Sequence, residues 1–375
     1  MGSGRPAFAS IHLDALRHNL AEVSRRADGR AVIAVVKADA YGHGAVPVAR
    51  TLVEAGCPRL AVLEVAEGAE LREAGLDVPV LVLGGVHDSG EAREAVRLGL
   101  TPVVHHAGHV ALLSEAARKD ASPTGVEVEV DSGMRRMGVP PEAAPDLLAS
   151  LAAEASLVLD GVYTHFARAD EAEPDASLEQ LSTFRRVLDA ARARGVDPGA
   201  VHVANSAGLL AEPLTEAFPQ TAAVRPGLML YGVNPAPHFD VDLKPVMTLH
   251  TRVVHVRRVM CGDPVGYGGE FRAPRDTTVA TLPIGYADGV PVSTSRRGRV
   301  LIAGGAHAVA GRVSMDFIGV DVGGAEVAIG DPAILFGGTQ GSTQLRVEEA
   351  SEAAQTIPYE LLVRVGARVR REYVE

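Results

Sequence analysis

The chain of 375 residues exceeds the usual size of one domain, so its length favours two domains, or one barrel of roughly 250 residues with an appendage. A formal charge of −11 and the absence of tryptophan provide neither a basic surface nor a stacking platform, which argues against nucleic acid as a partner. Two cysteines without a CxxC or His-rich pattern argue against a disulfide framework and against a metal site.

We expect no membrane partner, because the apolar runs are too short to form a membrane-spanning helix. None reaches the roughly 18 to 20 residues that a membrane helix needs. The first fourteen residues also lack the basic and apolar regions of an export signal, so we expect a cytoplasmic protein.

Apolar segments typical of strands recur through the first two thirds of the chain. They lie at residues 31–36, 60–65, 78–83, 100–104, 125–130, 157–166, 201–205 and 223–232. Between them lie stretches with helical periodicity, such as 14–27 and 178–195, the latter closed by a glycine. Eight strands alternating with helices predict an α/β fold, with an N-terminal (β/α)8 TIM-like barrel over residues 1–242.

From about residue 243 the pattern changes to alternation without intervening helices. Segments such as "TLHTRVVHVRRV", "TTVATLPIG" and "FIGVDV" are separated by glycine-rich turns. This predicts a second, C-terminal mostly-β domain over residues 243–375. Because no low-complexity linker or internal repeat intervenes, we expect the two domains to pack together.

Reactive side chains follow several predicted barrel strands. In strand order they are Lys37, Arg136, His165, Asn205 with Ser206, and Arg225 with Gly227. The carboxyl ends of barrel strands converge on one mouth, so these groups suit an anionic, carbonyl-bearing ligand. Taken singly, each has a plainer interpretation: a hydrogen-bonded structural histidine, a surface ion-pair arginine, or a serine that caps a helix.

Lys37 ends the first predicted strand and is one of only three lysines in the chain. Apolar walls depress a lysine pKa and free the nucleophilic amine, so Lys37 is a candidate for Schiff-base formation. The loops after strands seven and eight of a barrel commonly bind phosphate. An aldehyde for the lysine and a phosphate for those loops indicate pyridoxal 5′-phosphate.

With these motifs the chain resembles the alanine racemases, pyridoxal-phosphate enzymes of fold type III. The resemblance extends over nearly the whole chain and rests on "AVVKADAYGHG", "DSGMRRMG", "THFARADE", "VHVANSAG", "VRPGLMLYG", "VGYGGEF", "PIGYADG", "GRVSMD" and "TIPYE". It implies a barrel with a C-terminal β domain, and interconversion of L- and D-alanine for peptidoglycan.

The resemblance implies two catalytic bases, Lys37 and Tyr267, with Tyr267 supplied by the second subunit of a homodimer. An acid or base on each face of a planar carbanion is what racemisation requires. The implied cofactor residues, besides Lys37, are Tyr41, His165, Asn205, Ser206, Arg225, Gly227, Leu228 and Tyr359. Among them, Arg225 would face the pyridine nitrogen and His165 would lie between Arg225 and Tyr267.

The implied substrate residues are Arg136 and Met315, with Asp316 also crossing the dimer interface and Tyr286 narrowing the entrance. One departure from the family concerns Glu129. Many members have a carbamylated lysine at that position, and we expect the Glu129 carboxylate to contact Arg136 in its place.

Alternatives stay open at this point. One is a racemase that accepts several small amino acids. A second is a pyridoxal-phosphate homeostasis protein without turnover, although such a carrier does not need Tyr267. A third is a decarboxylase of the same fold type, for which Cys261 is poorly placed, six residues before Tyr267.

Overall fold

The computed structural model describes residues 6–121 and 123–375. Residues 1–5, part of the segment predicted not to be an export signal, lie outside the described residues. The chain enters through strand β1 (Phe8–His12) and helix α1 (Leu13–Ala27), and then forms a closed barrel followed by a large β sheet. In the described part of the chain, no helix has both the length and the apolar character needed to cross a membrane.

The barrel is built from parallel strands that pair in chain order. Within the described residues there are eight: β2 (Ala31–Val35), β3 (Arg59–Val62), β4 (Val80–Val82), β5 (Thr101–Val104), β6 (Thr124–Glu129), β7 (Leu157–Tyr163), β8 (Ala200–His202) and β9 (Ala223–Val224). Pairing of Ala31 with Ala223 closes the cylinder. The predicted barrel is therefore confirmed.

Helical segments follow the barrel strands. They are α2 (Lys37–Gly42), α3 (Ala45–Glu54), α4 (Val65–Glu73), α5 (Ser89–Arg97), α6 (Ala107–Asp120), α7 (Ala144–Ala152), α8 (Asp175–Ala193), α9 (Ser206–Leu210) and α10 (Glu212–Ala217). The predicted helices 14–27 and 178–195 correspond to α1 and α8. Gly195, at a φ of +78°, follows the end of α8, where a residue without Cβ adopts the left-handed conformation easily.

The C-terminal part is mostly β, as predicted. Its strands are β10 (Met247–Arg252), β11 (His255–Val259), β12 (Pro264–Val265), β13 (Phe271–Arg272), β14 (Thr277–Leu282), β15 (Arg299–Ile302), β16 (Gly305–Ala310), β17 (Ile318–Gly323), β18 (Pro332–Phe336), β19 (Gly338–Gln340), β20 (Thr343–Leu345) and β21 (Arg370–Val374). Two helices that the alternation pattern missed, α11 (Val347–Ala353) and α12 (Pro358–Val363), precede β21.

The N-terminal strand does not belong to the barrel. In the described chain, nine strands form one sheet in the order β11-β14-β17-β16-β15-β18-β10-β1-β21. Strand β1 pairs antiparallel with β10 and parallel with β21. The expected barrel domain over residues 1–242 is therefore corrected at its start. Phe8–His12 belongs to the C-terminal sheet, because it shares its backbone hydrogen bonds with that sheet.

Several predicted barrel strands end earlier than expected, and two of these matter for the site. The strand predicted at 157–166 ends at Tyr163, so His165 lies two residues beyond it. Of the segment 223–232, only Ala223–Val224 is a strand, and Leu228–Tyr231 forms a 3-10 helix. Proline at 226 accounts for the early end, because it has no N–H to donate to a sheet.

Candidate active site at the barrel mouth

Lys37 lies two residues beyond the end of β2, at the carboxyl end of the barrel. Its side chain is half-buried, and burial lowers the pKa of the amine below its usual value, with a further lowering from the positive charge of Arg136. The carboxylates of Glu67 and Glu129 act in the opposite direction. The barrel mouth thus makes this amine easier to deprotonate than the amine of a free lysine.

The chain leaves Lys37 through a turn of the left-handed helical conformation. Four consecutive residues, Ala38 to Tyr41, have φ between 51° and 55° and ψ between 38° and 52°. Each non-glycine residue in this region costs about 1–2 kcal/mol, so the turn needs external support. The backbone N–H of Ala38 donates to Glu67 Oε1 at 2.6 Å, and that of Ala45 donates to Asp39 Oδ1 at 2.7 Å.

Arg225 follows β9 and is buried, with only 3% of its surface exposed. Its guanidinium donates to the carbonyl of Thr164 at 2.8 Å and contacts Nδ1 of His202 at 2.5 Å and Nδ1 of His165 at 3.3 Å. An arginine only donates, so both histidine Nδ1 atoms accept. Burial and the Arg225 charge lower the pKa of His165 to about 3, which keeps its ring neutral.

The hydrogen-bond network around Arg225 also includes a buried carboxylate. Glu127 accepts from Nε2 of His202 at 2.9 Å and is paired with Arg59. Burial alone would raise the pKa of Glu127, but His202 and Arg59 lower it to about 2. The roles of Glu127, His202 and Arg59 were missed from the sequence. A glutamate inside the apolar strand segment "GVEVEV" was the available signal.

Hydroxyl groups and backbone N–H groups gather near Gly227. Ser206 Oγ accepts from the N–H of Gly227 at 3.1 Å and of Met229 at 3.3 Å. A Cβ on Gly227 would overlap the hydroxyl of Tyr41, so this position requires glycine for a close approach. The alternative interpretation of Ser206 as a helix cap is wrong, because Asn205 caps α9 by accepting from the Gly208 N–H at 2.9 Å.

The C-terminal domain reaches the barrel mouth of its own chain through α12. The ring of Tyr359, in α12, lies 6.0 Å from that of Tyr41, which in turn stacks on Tyr231 at 4.6 Å. Burial raises the pKa values of Tyr41 and Tyr359, so both hydroxyls keep their protons at neutral pH. Leu228 is buried in the adjacent 3-10 helix.

The expected contact between Glu129 and Arg136 is not formed. Glu129 accepts from Tyr163 Oη at 3.1 Å and lies 3.4 Å from Nδ1 of His105. Burial raises the pKa of Glu129, although the charges of Arg225 and Arg136 oppose this. Arg136 is exposed and makes no hydrogen bond or ion pair within residues 6–121 and 123–375.

Other predicted site residues are exposed on the C-terminal domain. Tyr267 is 70% exposed in a short turn between β12 and β13, and Met315 is 51% exposed. Tyr286 is tied to the Met315 loop, since its N–H donates to the carbonyl of Ser314 at 3.0 Å. Asp316 is paired with Arg368 at 2.7 Å. These residues are therefore grouped with one another but do not approach Lys37 of the same chain through any contact in the described structure.

Among the described residues, no group of three or more histidine, cysteine or acidic side chains is arranged to hold a metal ion. The polar groups at the barrel mouth are instead an amine, two arginines and several hydroxyls. The fold and the site define the class of protein: a closed (β/α)8 barrel with a lysine at its mouth and an attached β domain.

Two family profiles match the chain. That of the alanine racemase N-terminal domain matches residues 11–235, and that of the alanine racemase C-terminal domain matches residues 246–373. The alanine racemase of Syntrophobacter fumaroxidans is 41% identical over 96% of this chain and 95% of its own. The chain belongs to the alanine racemase family.

Solved structures agree with this assignment. The alanine racemase of the D-cycloserine-producing Streptomyces lavendulae superposes with a TM-score of 0.94 and 36% identity, over 100% of this chain and 98% of its own. The alanine racemase of Bacillus anthracis with bound L-Ala-P gives a TM-score of 0.90 and 33% identity, over 100% of this chain and 96% of its own.

Proposed function

We propose that this chain interconverts L- and D-alanine with pyridoxal 5′-phosphate, in a homodimer whose two subunits each supply one catalytic base. The observation that carries the proposal is the meeting of Lys37, Arg225 and the hydroxyls of Tyr41 and Ser206 at one barrel mouth, in a chain of this family. A racemase that supplies D-alanine for peptidoglycan is the form of the proposal that we favour.

The residues at the mouth fit the cofactor. The Gly227 position is a cradle that a Cβ would fill, bordered by the Tyr41 and Ser206 hydroxyls. Such donors suit a phosphate, and Tyr359 adds a further hydroxyl beside Tyr41. The Lys37 amine, with its lowered pKa, suits an aldehyde. Pyridoxal phosphate, when bound, supplies an electron-accepting ring that acidifies the substrate Cα–H.

Arg225 sets the electronic character of that site. It is buried, and His202, His165 and a backbone carbonyl hold its guanidinium in place. An arginine does not give up its proton, so Arg225 would donate a hydrogen bond to the pyridine nitrogen of a bound cofactor and leave that nitrogen unprotonated. By this contact Arg225 would make the cofactor a weaker electron sink, which would restrict side reactions such as transamination.

Lys37 and Tyr267 of the partner subunit move the proton. Lys37 removes the Cα proton on one face as a neutral amine or returns it as the protonated amine, and the tyrosine acts on the opposite face. Tyr267 is 70% exposed in the single chain, next to a loop that exposes Met315 and Phe317 by about half. Exposed apolar groups of this kind mark a protein interface. We expect this surface to cap the barrel of a second copy.

Arg136 binds the substrate carboxylate, together with the backbone N–H of Met315 from the partner subunit. Its guanidinium has no partner among the described residues and acts electrostatically on Lys37, so it is available for an anion near that amine. The Bacillus anthracis relative, with bound L-Ala-P, is consistent with a small alanine-like ligand. Glu129, held by Tyr163, contributes a negative potential in place of a direct contact.

The test is a panel of L-amino acids incubated with the purified protein, with each D-enantiomer measured by chiral chromatography. Alanine should react fastest, and the Lys37→Ala variant should produce no D-alanine above background. Comparable rates with serine and other small residues would favour a broad racemase. Bound cofactor without turnover on any substrate would favour a homeostasis protein.

A further inference from the structure

Every N–H of the Arg371 guanidinium donates to a backbone carbonyl. Its Nε and Nη2 both donate to the carbonyl of Gly42 at 3.0 Å. Its Nη1 donates to Gly366 and Val369, each at 2.7 Å, and its second Nη2 hydrogen to Val365. Arginine carries five such hydrogens in a rigid fork, so this side chain is fully engaged.

The acceptor at Gly42 connects Arg371 to the catalytic lysine. Gly42 ends the left-handed turn that begins at Ala38, directly after Lys37. The turn is held at its start by Glu67, from the barrel, and at its end by Arg371, from the C-terminal sheet. A conformation that is unfavourable for four residues persists only where neighbouring groups hold it.

Other parts of the C-terminal domain pack against the segment that follows Lys37. A Cβ on Gly42 would overlap the carbonyl of Leu362, and a Cβ on Gly44 would overlap the hydroxyl of Tyr373. Tyr373 is in β21, two residues after Arg371, and β21 is anchored by its parallel pairing with β1. The position of this turn is therefore defined by the C-terminal domain of the same chain.

We propose that Arg371 is a positioning residue for Lys37, which locks the left-handed turn by its paired hydrogen bonds to the Gly42 carbonyl. The inference rests on the proposed function of Lys37. It gives the C-terminal domain a second role: besides presenting Tyr267 to the partner subunit, the domain sets the direction from which Lys37 of its own chain enters the barrel mouth.

The test compares Arg371→Met with Arg370→Met in the cofactor-bound dimer. Arg370 is on the same strand. Among the described residues its side chain hydrogen-bonds only to Glu372, so it is a matched control. Amide hydrogen exchange of a peptide covering residues 37–45 should be about tenfold faster or more in Arg371→Met, since hydrogen bonds from a charged donor are lost. Turnover should fall about tenfold while the KM for alanine stays within about twofold, because Arg136 is untouched.

Arg371→Lys should restore part of both losses, since an ammonium still donates to Gly42 but without the fork. If Arg371→Met does not fold, Arg371→Lys is compared with Arg370→Met instead. The same changes in exchange and turnover are then expected, but smaller. Unchanged exchange at 37–45, or faster exchange spread equally through the barrel, overturns the inference. A wild-type protein without racemisation would instead overturn the proposed function, and the exchange comparison separates the two.

Discussion

Glu127 and His202 are fully buried and joined by a 2.9 Å contact between Oε2 and Nε2. The carboxylate accepts, so Nε2 of His202 carries the ring proton and Nδ1 is free to accept from Arg225. The Glu127 carboxylate thus determines the tautomer of His202, and His202 in turn orients Arg225. Burial also lowers the pKa of His202, which agrees with a neutral ring.

We predict that Glu127→Gln lowers the free energy of unfolding by about 3 kcal/mol, because the half-buried charge of Arg59 is left without its anion and the fully buried His202 loses its charged acceptor. Urea denaturation at neutral pH measures this. Glu129→Gln is the matched control on the same strand face, and its effect should be smaller, because burial raises the pKa of Glu129 and no buried cation depends on it alone. Equal losses would contradict the assignment of Glu127 as the anion of the network.

A pH dependence follows from His43, which is fully buried and whose ring pKa burial lowers from 6.5 to about 4. The unfolded chain gains this proton near pH 6.5 and the folded protein only near pH 4. Stability from His43 is therefore complete above pH 6.5 and decreases as the pH falls, by about 1.4 kcal/mol per pH unit. Urea titrations between pH 7.5 and 4.5 should give a slope that is smaller by this amount in His43→Asn. Identical slopes in both proteins would be inconsistent with a neutral buried ring.

Gly227→Ala should weaken cofactor binding by about tenfold or more and reduce stability by about 1–3 kcal/mol, because the added methyl group displaces the Tyr41 hydroxyl. The backbone at Gly227, with φ at −120°, accepts alanine, so the effect is steric. Gly324→Ala is the control, since a Cβ there has nothing within 4 Å. Equilibrium dialysis of pyridoxal phosphate and thermal unfolding measure the two effects, and a cofactor affinity equal to that of the control would exclude the cradle.

Mixing Lys37→Ala and Tyr267→Phe subunits should restore activity if each active site combines two chains. Each variant alone should lose about 100-fold or more in rate, as expected when a catalytic base is removed. Random exchange into closed two-fold dimers leaves one intact site in each mixed dimer, or about a quarter of wild-type activity. The measurement is D-alanine formation after subunit exchange. If one chain supplied both residues of a site, the mixture would stay inactive.

The sequence was sufficient for features that depend on local pattern. Alternating apolar segments and helical periods predicted the barrel and the β domain, because side-chain burial follows the period of each element. Lys37 was identified as a candidate for Schiff-base formation, because a lone lysine at the end of an apolar strand has few structural explanations. The family motifs identified Arg225 and Ser206 among the residues at the barrel mouth. None of these inferences required knowledge of distant contacts.

What only the tertiary structure decided are the pairings between residues far apart in the chain. Strand β1 lies in the C-terminal sheet because its hydrogen-bond partners come more than 200 residues later. Glu129 bonds to Tyr163 and not to Arg136, because the closed barrel pairs β6 with β7 and sets Glu129 opposite Tyr163. Glu127 and Arg371 look like ordinary charges in the sequence. Closure of the barrel around Glu127, and the packing of β21 beside the turn after Lys37, give them partners that no local pattern contains.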